Sequence, residues 1–363
     1  NEPSFLYTSS MHGDELAGYI LSLRLIDYIL NGYGNNQRLT DLVDGIDIWI
    51  NPLANPDGAY YGGNQDVWSS TRYNANWVDL NRNYPDPEDG PHPDGNSYQT
   101  ETNLFLGLSD SINFSISANM HGGAEVVNYP WDTWSNLTAD NNWWEYVSQE
   151  YADSCQANSG NGYFNYLNDG ITNGWDWYTV NGGRQDYMNY FKHCREFTLE
   201  LSDDKTPSPN DLPSLWDANY PSLLNYMQQT LFGARGIVTD SITGNPLKAK
   251  IEITSHDTDS SHVYSNLPIG NYHRHIFQGN YDITFSKNGY YTKTINVSVL
   301  NNNSTIEDVQ LVPLNTTSIT EQIPSNIKIS NIDILGRKSK KGRNNIQLIK
   351  TKKGTIKKQI KLN

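Results

Sequence analysis

Cysteine, basic residues and long apolar runs are what this 363-residue sequence has least of. Its two cysteines, Cys155 and Cys194, are too few for a disulfide-dense scaffold. One bridge in an exported protein and two free buried thiols both fit that count. A membrane-spanning helix needs about 18 or more consecutive apolar residues, and no such run occurs. No signal-peptide pattern opens the chain. It begins abruptly beside a strand-like run, so we expect a further segment ahead of it. Basic residues are concentrated at one end. Of 26 Lys and Arg, 12 fall from Lys328 onward against a single acid, Asp333, which leaves 14 bases and 39 acids before that point. So acidic a body argues against nucleic acid as a partner and would attract cationic molecules.

What the sequence does hold is aromatic residues, with 10 Trp and 24 Tyr, and an ordinary hydrophobic share of 36%. The length admits one large domain and something smaller, with material for a sizeable core.

Met11-His12-Gly13-Asp14-Glu15 organises the rest. It follows a strand-like run, Phe5 to Thr8, and opens an apolar-periodic segment, Leu16 to Leu30, that reads as a helix. A His and a carboxylate three residues apart at a strand-to-helix junction can both face one ion. Imidazole nitrogen and carboxylate oxygen suit catalytic Zn²⁺, which takes three protein ligands and keeps one position open. By itself this pair is a weak signal, and a solvated turn is the commoner explanation of such a pair.

Further along, Gly45 to Ile50 alternates like a strand and is broken by Asn51-Pro52 and Asn55-Pro56-Asp57-Gly58. Residues 59–100 read as a long loop, a kind of segment that is usually functional in a compact domain. It contains Arg72 and Asp79-Leu80-Asn81-Arg82-Asn83-Tyr84-Pro85. Phe114 to Met120 is a buried-type strand running into His121-Gly122-Gly123, where missing side chains permit close approach of a metal or substrate. Asn142 to Ala157 reads as a helix and Ile171 to Tyr190 is aromatic and Gly-rich. Arg195 to Leu201 alternates as a strand with Glu196, Thr198 and Glu200 on one face. A carboxylate on an inner strand is costly unless paired or at work. A helix from Leu215 to Phe232 closes this part, and strands alternating with helices favour an α/β sheet.

After Gly233 short strands separated by Gly/Asn turns, with no helical pattern, predict a small β-sandwich. Asn301 to Thr305 and Thr316 to Ser325 read as linkers. In the basic tail, Ile327 and Ile329, then Ile332 and Ile334, alternate as in strands, which favours a small folded module over a nucleic-acid arm.

Six motifs now stand in one order: His-Gly-Asp-Glu at 12–15, Asn-Pro-Asp-Gly at 55–58, Asp-Leu-Asn-Arg-Asn-Tyr-Pro at 79–85, Met-His-Gly-Gly at 120–123 with Asn-Tyr-Pro at 128–130, Gly-Gly-Arg-Gln-Asp at 182–186, and Thr-Leu-Glu-Leu at 198–201. In order and spacing they resemble the zinc metallocarboxypeptidases of the carboxypeptidase A family, in its regulatory (N/E) branch. The segment after Gly233 is similar to the transthyretin-like domain of that branch. Asp333-Ile334-Leu335-Gly336-Arg337 and the Lys-rich end resemble the C-terminal sorting modules of type IX secretion cargo.

The resemblance implies an α/β fold with a mixed central sheet flanked by helices, then a small all-β sandwich and a short β tail module. It implies a catalytic domain at 1–232, a sandwich at 233–314, a linker at 315–325 and a sorting module at 326–363. One Zn²⁺ per chain would be held by His12, Glu15 and His121. Glu200 would be the general base and Arg72 would sit beside the scissile carbonyl. Asn81 and Arg82 would grip the terminal carboxylate of the substrate, and Tyr178 would cover it. Asp132 and Gln185 stand where that branch meets a terminal Lys or Arg. The implied partners are peptide or protein C-termini and, through the tail, a secretion machinery, so the implied location is secreted or cell-surface. Three departures stand out. Asp14 replaces a common Asn. Arg184 stands where Met is frequent and, adjacent to Gln185, could neutralise Asp132. The strand pair and helix that precede the first zinc motif in the family are absent. Hydrolysis of cell-wall or γ-glutamyl peptides, and a non-catalytic binding surface of Trp and Tyr, are the alternatives.

Overall fold

The protein is seen here in a computed structural model that describes residues 2–160, 162–314, 346–350 and 356–360. Residues Asn1–Leu314 form one compact unit and Asn315–Asn363 another.

A six-stranded mixed sheet lies at the centre of the first unit. Its strands are β1 (Ser4–Ser9), β2 (Asp47–Asn51), β3 (Phe114–His121), β4 (Ala124–Tyr129), β5 (Ile171–Asn173) and β6 (Arg195–Ser202), in the order β2-β1-β3-β6-β4-β5. Only β4 against β6 is antiparallel. Every residue of β3 and β6 is buried, as expected of strands covered on both faces. In β1 the two-residue period divides the side chains: Phe5 and Tyr7 join one apolar cluster and Leu6 the other.

The larger cluster lies under the helices Ala17–Gly32, Asn141–Asn158 and Leu212–Gln229, through Leu21, Leu25, Trp144, Val147, Leu223 and Met227. Phe197 of β6 stacks on Tyr226 there, with ring centres 3.8 Å apart. The helices Thr100–Ser111 and Arg184–Lys192 cover the opposite face with Phe105, Tyr187 and Met188. Neither these two helices nor Gln37–Gly45, which Asn36 caps from its side chain, stood out in the sequence. Arg184–Lys192 has only polar or aromatic residues in its first turn and a single aliphatic-type residue, Met188, after it, so its apolar period is masked. Cys155 and Cys194 are free and buried.

Beyond Gly233 the unit continues as two four-stranded sheets. In one, β7 (Gly233–Asp240) pairs with β10 (Asn271–Arg274), β13 (Ser304–Ile306) and β14 (Val309–Leu311). The other has the order β12-β11-β8-β9, that is Lys293–Val299, Gly279–Ser286, Lys250–Ile253 and Val263–Tyr264. Val238, Ile251, Ile283, Phe285, Val297 and Val299 fill the space between them. The linker reading of Asn301 to Thr305 is corrected: Ser304 and Thr305 belong to β13, paired in parallel with β7. That strand is three residues long and largely exposed, so its backbone pairing left no apolar pattern to read.

A buried ionic cluster joins the sandwich to the larger sheet. Arg274 places both terminal nitrogens on Asp140, at 2.9 and 2.8 Å, and one on Asp257 at 2.5 Å. Arg195, at the start of β6, donates to Asp140 at 2.6 Å, and His256 Nε2 lies 3.0 Å from it. Asp140, His256 and Asp257 are close enough to hold an ion, but two guanidinium groups already neutralise the carboxylates. The cluster is therefore a structural bracket.

In the second unit Ile346–Lys350 and Ile356–Ile360 pair as an antiparallel ladder. The linker at 315–325 and the Asp333–Arg337 motif lie outside the described residues.

Candidate active site

The carboxyl ends of β1, β3 and β6 meet at one cavity of about 180 Å³. It is lined by His12, Glu15, Arg72, Asn81, His121, Asp132, Tyr178, Glu200 and Lys205, among others. Eight of the ten site residues named from sequence thus converge from segments up to 188 residues apart; Arg82 and Gln185 stand behind the lining.

His12 and Glu15 follow β1, and His121 ends β3. All three are 3% exposed. Glu15 Oε2 lies 3.0 Å from His12 Nδ1 and 2.8 Å from His121 Nδ1, and the two Nδ1 atoms are 3.1 Å apart. Three N/O ligand atoms face one point, and two His with one Glu is an established donor set for catalytic zinc. The remaining ring nitrogens are held from behind: His12 Nε2 lies 3.0 Å from Asp79 Oδ1 and His121 Nε2 2.6 Å from the Asn119 amide. Such outer contacts fix ring orientation in metal sites. Burial, the largest influence, lowers the pKa of both histidines; Glu15 and Asp79 overcome it at His12, whereas His121 ends at about 4. A neutral imidazole is the form that binds metal. The residues present therefore fit a zinc ion.

Glu200 stands beside His121 in the register of β6 against β3. It is 7% exposed and its Oε2 has no hydrogen-bond partner among the described residues. Burial, followed by the nearby Glu15 charge, pushes its carboxyl up to about 8, while His12, Lys205 and Arg72 pull the other way. A buried carboxylate kept free of partners on an inner strand is poised for proton transfer. Arg72 Nε donates to Asp79 at 2.9 Å, and its guanidinium lies 3.6 Å from Glu15. Asp79 thus braces both a metal ligand and an arginine, a role that its place inside a longer motif did not reveal.

Asn81 Oδ1 accepts from the Arg184 backbone at 3.0 Å. Arg82 donates to the Asn81 carbonyl at 2.7 Å, and its charge reaches both Asp132 and Tyr178. Tyr178 is half exposed at the rim. Asp132 is 3% exposed, and its Oδ1 accepts from Asn128 at 3.0 Å and Gln185 at 2.9 Å. Asn128 Oδ1 and Gln185 Oε1 remain without donors among the described residues. A Cβ on Gly174 would fall 1.9 Å from Asp132 Oδ1, so glycine is required there for the carboxylate to occupy its place. The possible neutralisation of Asp132 by Arg184 is corrected. Arg184 is committed to Glu196, at 2.9 and 3.0 Å, and to Thr8.

Comparison with known proteins agrees with this site. The zinc carboxypeptidase family matches residues 1–222, and the chain belongs to that family. Its class is that of hydrolases with metallocarboxypeptidase function, and its cofactor is one zinc ion. The chain is 34% identical over 346 residues to the carboxypeptidase N catalytic chain of Mus musculus, covering 85% of this chain and 74% of that one. It is 36% identical over 312 residues to carboxypeptidase D of Mus musculus, covering 82% of this chain but 22% of the much longer relative. Among solved structures, carboxypeptidase A from Helicoverpa armigera superposes with a TM-score of 0.53 at 19% identity, over 63% of this chain and 61% of that one, a likeness of fold.

Proposed function

We propose that this protein removes the C-terminal residue of peptides and proteins, with a preference for terminal Arg or Lys. The observation that carries the reading is the buried, unpartnered Glu200 beside the His12/Glu15/His121 cluster, in a cavity that also holds Asp132.

In the proposed reaction Asn81 and Arg82 receive the terminal carboxylate; a guanidinium does this bidentately, which an ammonium cannot. Tyr178 covers the bound residue from the rim. His12, Glu15 and His121 would hold the zinc ion, which would supply Lewis acidity and a water of near-neutral pKa. Glu200 takes the proton of the attacking water as its oxygen bonds to the carbonyl carbon. The C–N bond then breaks, and Glu200 returns that proton to the departing amine. Arg72 faces the oxygen on which charge develops, a contact worth about 3–4 kcal/mol in comparable sites. The terminal side chain reaches Asp132. With Arg184 bound to Glu196, the free acceptors Asn128 Oδ1 and Gln185 Oε1 beside Asp132 favour a cationic side chain.

We further infer that the sandwich is a transthyretin-like domain and that the protein is exported through its basic tail, which is removed or linked to the cell surface. The concentration of basic residues after Lys328 supports this. Deleting residues 326–363 should leave peptidase activity intact and retain the protein inside the envelope; normal export of the truncated chain would refute it.

The test of the activity is metal analysis together with hydrolysis of matched peptides ending in Arg, Lys, Leu or Phe, and of cell-wall peptides. One zinc per chain and release of a single terminal Arg or Lys is expected. Cleavage confined to cell-wall peptides would overturn the substrate reading, and absence of both zinc and hydrolysis would overturn it entirely.

A further inference from the structure

We propose that Lys205 is a positioning residue of the zinc site, which fixes the Glu15 carboxylate so that a single oxygen faces the two imidazoles. The inference rests on the assignment of His12, Glu15 and His121 as ligands. The two oxygens of Glu15 are divided between different neighbours. Oε2 faces His12 and His121, at 3.0 and 2.8 Å, and the Gly122 amide at 3.3 Å. Oε1 accepts from Lys205 Nζ at 2.8 Å, and Arg72 stands farther off at 3.6 Å. Arg72 has its shorter contact with Asp79 and faces substrate in the proposed reaction. Lys205 is therefore the cation that can hold Oε1 throughout turnover.

Lys205 is held in place by the same segments it organises. It follows β6, the strand of Glu200. Its carbonyl accepts from the Leu16 amide at 2.8 Å, the residue next to Glu15, and Thr206 Oγ donates to the Asp14 carbonyl at 3.2 Å. Its aliphatic stem crosses Gly123, where a Cβ would come within 3.3 Å of Lys205 Cε. Gly123 thus leaves room for this side chain. One residue thereby ties together the segments of Glu15, His121 and Glu200. The Lys205 side chain is 40% exposed, so it retains solvent contact while its partner, Glu15, is buried.

Two physical effects of removing this charge oppose each other. By Coulomb's law alone, loss of a cation near a cation site should tighten zinc. Loss of an outer contact that orients a ligand weakens metal affinity by about 10- to 100-fold. The sign of the change therefore tests the proposal. Zinc dissociation constants would be measured on the full apo-chain by competition with a chromogenic chelator, for wild type, His121→Ala, Lys205→Met and Lys205→Arg. Melting of each apo-protein, and circular dichroism, would verify that each is folded. Lys205→Met is expected to bind zinc about 10- to 100-fold more weakly, and Lys205→Arg, which keeps the ion pair, to recover most of that loss. Lys205→Met binding as tightly as wild type or more tightly, or no recovery with Lys205→Arg, overturns the proposal. Should His121→Ala bind like wild type, the ligand assignment itself fails, an outcome separate from the Lys205 result.

Discussion

Replacing Asp132 by Ala tests the specificity reading most directly. Both recorded donors to this carboxylate, Asn128 and Gln185, go to Oδ1, which leaves Oδ2 for a ligand. Truncating one partner of a buried, hydrogen-bonded charge pair costs about 2–5 kcal/mol. At about 1.4 kcal/mol per decade, that is a loss of roughly 30-fold or more in kcat/KM for a peptide ending in Arg. A peptide ending in Leu gains nothing from the carboxylate, so its kcat/KM should hold or rise. The ratio of the two, measured near pH 7.5 and 0.15 M salt, should therefore fall by about 30-fold or more. A ratio within about threefold of wild type would refute the placement of Asp132 in the specificity pocket. A pH dependence follows with a definite sign. Burial raises the Asp132 carboxyl to about 7 in the free protein. A substrate cation pairs with the ionised form only, so binding must release a proton below that pH. KM for Arg peptides should rise as pH falls below about 7, more steeply than for Leu peptides, and Asp132→Asn should erase the difference.

Glu200→Gln should keep the fold and one zinc but abolish turnover; retained activity would remove Glu200 from the role of base. Chelation of zinc should abolish hydrolysis, and stoichiometric zinc should restore it, as followed by release of the terminal residue. Arg274→Met would leave Asp140 with Arg195 as its remaining guanidinium partner and Asp257 with none among the described residues, an imbalance expected to cost about 3–5 kcal/mol in urea unfolding. A loss under about 1 kcal/mol would show that the bracket is energetically idle. Burial, the largest influence, raises the Asp140 carboxyl, but Arg274 and Arg195 hold it far below the ordinary range. Its contribution to stability is therefore present above about pH 4 and declines as pH falls further. Urea midpoints from pH 6 to pH 2 should fall more steeply for wild type than for Asp140→Asn.

The sequence by itself determined the family, the alternation of strands and helices, and the chemical identity of the metal-ligand candidates. Those features are local: His12 and Glu15 are three residues apart, β3 announces itself as a buried-type run and β6 by its alternation. Thr100–Ser111 and Arg184–Lys192 escaped notice because amphipathic period was weak or masked by aromatic and charged residues. What the tertiary structure decided depends on contacts between distant segments. Arg184 adjoins Gln185, which contacts Asp132, yet its charge does not reach that carboxylate, because Glu196 on β6 captures the guanidinium. Asp79 and Lys205 carry no metal-ligand spacing, yet folding sets one behind His12 and the other against Glu15. Side-chain type limits what chemistry is available; only the approach of separate chain segments fixes which charge meets which partner, because Coulomb and hydrogen-bond energies fall steeply over a few ångströms.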